Sequence, residues 1–73
     1  MPMEFTSAQI NEIRRMLGEK ENADRVLQRK LRKNLRQIGF YISNFYHVVP
    51  PQPEGFRLHH FEELINNEEI IEI

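Results

Sequence analysis

Seventy-three residues, 40% of them apolar and 29% charged with a formal net charge of −1, bound the chain to one small folded domain and exclude a disordered tail or a fibre. Without cysteine or tryptophan, disulfides, thiolate metal sites and a cysteine nucleophile are closed. No apolar run approaches the roughly 18 residues of a membrane span, and the start lacks a basic stretch followed by an apolar one, so no secretory signal is expected and the cytoplasm is the expected setting.

The small net charge conceals a segregation. Residues 1–24 hold five acids against three bases, residues 25–53 hold six bases and no acid, and residues 54–73 hold six acids against one base. A basic middle of this kind is either neutralised internally by the acidic C-terminal part or reserved for an anionic partner.

Residues 1–5 are expected to be loose. Thr6 with Gln9 three positions on reads as a capping box, and Phe5 with Ile10 has the spacing of a hydrophobic staple. Ile10, Ile13 and Leu17 then recur on one face, with Met16 beside them, which predicts a helix over 7–17 that Gly18 ends in a left-handed conformation. Glu19 to Asn22 reads as a polar connection, with Asn22 as N-cap of the next helix and Asp24 in its first turn.

That second helix is predicted over 23–38. At about 100° per residue, Leu27, Leu31, Leu35 and Ile38 gather within about 80° and form its buried face. Arg25, Arg29, Arg32 and Arg36 cluster nearly opposite, with Lys30 and Lys33 widening the stripe. Gly39 follows as its natural stop.

From Phe40 the period shortens to two and aromatic and β-branched residues dominate, predicting a strand from Phe40 that reaches toward Val49. Residues 50–55 carry three prolines and form a loop. Phe61, Leu64 and Ile65 have helical spacing and predict a short third helix, ended at Asn66 and Asn67, which tolerate positive φ. Ile70, Ile71 and Ile73 predict a terminal strand. The expected fold is a small single α+β domain spanning 1–73, of order α-α-β-α-β, with two helices and a short helix packed on a two-stranded sheet of undetermined strand direction. The element order and basic second helix resemble those of winged-helix DNA binders, without the wing hairpin or a third helix placed for recognition.

Four constellations carry chemistry. The arginine stripe, Arg25, Arg29, Arg32 and Arg36 with Lys30 and Lys33, has the charge and helical spacing to meet phosphates or carboxylates. Equally, a helix buried on one side needs a polar outer face, and Lys and Arg are good helix formers. Tyr41 and Tyr46, close to the arginines in sequence with Phe45 and His47, offer a platform for stacking bases; core packing is the alternative use. His59 and Glu63 at i, i+4 can share a metal ion only if a third ligand such as His47 joins them. Pro50 and Pro53 have P-x-x-P spacing, which a rigid connector explains as well.

No nucleophile motif, glycine-rich phosphate loop or paired acids accompany these residues, so neither an enzyme nor a cofactor is expected. The expected function is a non-enzymatic interaction module binding another protein through the basic helix or a sheet edge. Nucleic-acid binding by the Arg/Lys face ranks second, because the sequence pI of about 6.3 lacks the basic balance such domains usually have. A homodimer is as reasonable as a monomer, since a terminal strand leaves an open edge on a small core.

Overall fold

The computed structural model describes residues 3–51, 53 and 55–73. They form a small α+β domain in which β1 (Met3–Phe5) is followed by α1 (Ser7–Lys20), α2 (Arg25–Ile38), a 3₁₀ turn (Ile42–Phe45), α3 (Leu58–Asn66) and β2 (Ile70–Glu72). The sheet is two-stranded and parallel, pairing Met3 with Ile70, Glu4 with Ile71 and Phe5 with Glu72. Parallel strands need a long crossover, and here the three helices lie between the two strands in sequence. The two ends of the described chain are thereby clasped by Met3 N–H donating to the Glu69 carbonyl (2.9 Å) and Ile73 N–H to the Phe5 carbonyl (3.0 Å).

This order corrects the α-α-β-α-β expectation in two places, and with it the element-order resemblance to winged-helix proteins. Met3–Phe5 are not loose: Phe5 is 3% exposed and anchors β1. Met1 and Pro2 lie outside the described residues. Conversely, the predicted strand from Phe40 toward Val49 does not form. Phe40 and Phe45 are both buried and their rings stack at 5.5 Å, a convergence that residues five apart reach through a turn, whereas in a strand they would project to opposite faces. Ser43 and Asn44, poor strand formers, occupy the turn. Its backbone is satisfied locally, with Asn44 N–H donating to the Tyr41 carbonyl and Val49 N–H to that of Phe45.

The capping box at α1 forms as predicted: Gln9 N–H donates to Thr6 Oγ1 (3.2 Å) and Thr6 N–H to Gln9 Oε1 (2.9 Å). The helix runs through Gly18 to Lys20, because its inward face continues one turn beyond Leu17: Ile10, Ile13, Leu17 and Lys20 are all buried. For α2 the N-cap is Asp24, whose carboxylate accepts from Leu27 N–H at 2.9 Å, in place of Asn22. At its other end Gly39 adopts φ 99°, and the bonds from Phe40 N–H to Leu35 and from Gly39 N–H to Arg36 make the left-handed stop that glycine permits. After α3 the left-handed residue is Glu68 (φ 61°), with Asn66 and Asn67 both outside that region.

Phe40 is the centre of the core, 1% exposed, with the rings of Phe5, Phe45, Phe56 and Phe61 at 5.5–6.3 Å. All five phenylalanines of the chain thus form one cluster, which brings α1, α2, α3, β1 and the Pro-rich loop onto a common interior. Leu31 and Leu35 bury the middle of α2, and Ile38 packs against the core at half burial. Leu27 departs from the predicted buried face at 41% exposure; it shares the first turn of α2 with Val26, 79% exposed.

Candidate anion-binding face and cleft

The six cations of α2, namely Arg25, Arg29, Lys30, Arg32, Lys33 and Arg36, are all exposed. Burial of Leu31 and Leu35 on one side of a 14-residue helix turns the rows at 25, 29, 32 and 36 away from the core. None of the six takes part in an ion pair among the described residues. The acids lie elsewhere. Glu62 binds Arg14 through Nε at 2.7 Å and Nη2 at 3.1 Å, Glu12 and Glu19 both engage Arg15, Glu21 lies 3.7 Å from Arg57 and Glu69 lies 3.5 Å from His47. Internal neutralisation of the stripe is therefore not what the described carboxylates do.

Tyr41 and Tyr46 are 45% and 44% exposed; the core is built by their neighbours Phe40 and Phe45. Both tyrosines line a cleft of about 220 Å³ with Arg32 and Arg36. The fold thus unites four of the eight candidate residues, Arg32, Arg36, Tyr41 and Tyr46, and leaves Arg25, Arg29, Lys30 and Lys33 on the open helix face. The lining also includes Leu35, Phe40, Val49 and Phe56, all nearly buried, and the exposed Pro50 and Pro51. Gln52 and Glu54 of the Pro-rich loop lie outside the described residues.

A third cation of the cleft was not among the candidate residues. Lys20, only 7% exposed, sits where the inward face of α1 meets the cleft. Its ammonium donates one long hydrogen bond, 3.5 Å, to the Phe56 carbonyl, and no carboxylate reaches it among the described residues. Burial first, and the Arg32 charge second, push its pKa below the ordinary lysine value. Gly55, at φ 83°, passes so close that a Cβ there would lie 3.8 Å from Lys20 Nζ. The signal available in sequence was the continuation Ile13, Leu17, Lys20, which reading Gly18 as a stop concealed.

The histidines do not assemble into a metal centre: His47 is beside Glu69, while the His59 and His60 rings lie tilted against each other with centroids 4.0 Å apart, and no group of three potential ligands exists among the described residues. Among those residues no helix is long and apolar enough to cross a membrane. No protein-family model matches the chain, and no curated protein and no solved structure matches it either, so its function must be argued from its own residues.

Proposed function

We propose that this protein is a small non-enzymatic interaction module that binds an acid-rich segment of a partner protein along the exposed face of α2. The observation that carries the reading is the set of six exposed α2 cations without a described ion pair. Four arginines on one helical face suit carboxylate-bearing partners, since the guanidinium fork donates two parallel hydrogen bonds to a carboxylate. Exposed Val26 and Leu27 at the start of the same helix add apolar contact that a purely electrostatic encounter would lack.

A second reading is single-stranded nucleic acid, favoured by the exposed rings of Tyr41 and Tyr46 beside Arg32 and Arg36. Aromatic faces next to a cationic track are what base stacking requires. Self-association, the remaining partner suggested by the sequence, would use the open edge of β2, where Ile71 and Ile73 are 39% and 68% exposed; the solution mass decides it. The cytoplasmic setting expected from composition is kept as part of this proposal.

The test titrates the protein with a Glu/Asp-rich peptide and with a single-stranded RNA oligonucleotide at rising salt. The expected result is peptide binding that weakens with salt and drops at least about tenfold in the Arg29→Ala/Arg32→Ala double variant, as for a surface carried by a few residues. Tighter binding of RNA, with the steep salt dependence of released counterions, would transfer the conclusion to the second reading. No binding of either at low salt would overturn both.

A further inference from the structure

Lys20 marks a feature that the α2 face does not explain. An ammonium on a buried stem at a cleft wall is disfavoured unless it is paired, and among the described residues this one donates only a 3.5 Å bond to a carbonyl. Arg32 and Arg36 line the same cleft, so three cations converge on one concave surface, each disfavouring the others. Nearby Glu21 is already engaged, accepting from Leu58 N–H at 3.2 Å and lying 3.7 Å from Arg57. Among the described residues, no carboxylate lines the cleft. The rest of the lining suits a ring: Tyr41, Tyr46, Pro50 and Pro51 are exposed there, while Leu35, Phe40, Val49 and Phe56 are nearly buried behind them. Ser43, Tyr41 and Tyr46 belong to the same lining, and a hydroxyl side chain can donate to an acid group. The volume, about 220 Å³, falls below the roughly 300–1,000 Å³ of sites for drug-sized molecules, which limits the occupant to one ring or its equivalent.

We propose that this cleft is a binding site for an acid carried on a single aromatic ring, its phosphate or carboxylate meeting Lys20, Arg32 and Arg36 and its ring lying against the exposed side chains of Tyr41, Tyr46 and Pro51. This goes beyond the docking of an extended acidic partner and does not depend on it, because Arg29 is outside the cleft and Lys20 is absent from the α2 face. The same chemistry is offered by a free aryl acid and by a phosphorylated tyrosine of a partner chain. Binding supplies the missing counter-charge and, through it, favours protonation of Lys20.

Calorimetric titration with phenyl phosphate, with inorganic phosphate and phenol as head-only and body-only probes, tests the site. Phenyl phosphate is expected to bind at least about tenfold more tightly than inorganic phosphate, the increment that burial of a ring supplies, and phenol is expected not to bind measurably. Lys20→Met keeps the volume and removes the charge; it is expected to abolish phenyl phosphate binding while raising the melting temperature, a combination that a purely structural lysine would not produce. Arg36→Gln, on the exposed rim, should weaken binding severalfold without affecting folding, whereas Arg29→Ala should leave it unchanged. A phosphotyrosine peptide binding more tightly than phenyl phosphate identifies a partner chain as the source, and equal affinity identifies a free acid. Failure of the folded wild type to bind phenyl phosphate, or undiminished binding by both Lys20→Met and Arg36→Gln, would overturn the proposal.

Discussion

α1 and α2 are of equal length, 14 residues each, yet they dispose of their charge in opposite ways. α1 buries Ile10, Ile13, Met16 and Leu17 and turns its outer arginines to use within the molecule: Arg15 joins Glu12 and Glu19 along the helix, and Arg14 reaches Glu62 on α3. α2 buries only Leu31 and Leu35 and holds six cations with no described carboxylate among them. The difference separates a helix that organises the domain from one that presents a surface. Lys20 stands at their junction, belonging to α1 by sequence and to the cationic cleft by position.

The largest effect expected from this contrast is on stability. Leu17 is fully buried, and Leu17→Ala should cost about 2–5 kcal/mol through lost burial and a residual cavity. That is a large share of the roughly 4–11 kcal/mol typical of a domain this size. Leu27→Ala, at a position 41% exposed in α2, should cost less than about 1 kcal/mol. Urea midpoints at constant slope measure both; equal losses would mean that α2 is as deeply embedded as α1 and would remove the contrast.

A smaller effect separates Lys20 from the exposed cations. Its folded pKa is lowered, chiefly by burial and then by Arg32, so below both the folded and the unfolded values the destabilisation is fully present. As pH rises through the folded pKa toward the unfolded value of about 10.4, the unfolded chain holds more protons and stability increases. Among the described residues, the charged and titratable groups around the ammonium are Arg32 and Arg36 from α2, Tyr41 and Tyr46 from the segment after it, Glu21 at the end of α1 and Arg57 before α3. They are common to wild type and Lys20→Met, so the difference between the two isolates Lys20. The variant should be more stable at neutral pH by at least about 1 kcal/mol, roughly 4–8 °C in melting temperature, and the gap should close on the alkaline side. A gap that does not change with pH would show the gain to be packing alone.

How far these features were legible in the sequence differs along the chain. Thr6 with Gln9, Gly39 and the arginine stripe could be read because each depends on residues within one or two helical turns. β1 could not: three residues with a single alternation give no periodic signal, and its partner Ile70 is 67 positions from Met3. The segment after Gly39 misled for a related reason, since Phe40, on which Phe45 stacks, packs against Phe5, Phe56 and Phe61, all remote in sequence. Lys20 was hidden by its own chemistry: a long stem buries as an apolar side chain does while its head carries charge, so residue type points to the surface and helical phase to the interior. The cleft joins residues from four separate stretches, and only its Arg32, Arg36, Tyr41 and Tyr46 wall was accessible from local pattern.

The smallest effect is also the most selective, because it has opposite signs in the two helices. In α2, Arg29 lies four residues from both Arg25 and Lys33, and like charges at that spacing destabilise a helix by about 0.2–0.5 kcal/mol per pair. Arg29→Glu removes both repulsions and places a carboxylate ahead of Lys33 in the favourable orientation, so α2 should become more stable by about 0.5–1 kcal/mol even as binding of an acidic partner is lost. In α1 the corresponding change is a loss: Arg15→Gln breaks the pairs with Glu12 and Glu19 and should lower stability slightly, as expected of solvent-exposed pairs. The loss in α1 should also shrink in acid. Arg15, by hydrogen bonding and then by charge, holds the Glu12 carboxyl below its ordinary range, so that pairing is present above the unfolded carboxylate pKa and disappears as pH falls through the folded one. High salt should reduce both differences, since all these groups are exposed. Denaturation of both variants at low and high salt checks the signs. A cost for Arg29→Glu would mean that its guanidinium is already satisfied within the molecule, and the surface reserved for a partner would have to be sought elsewhere.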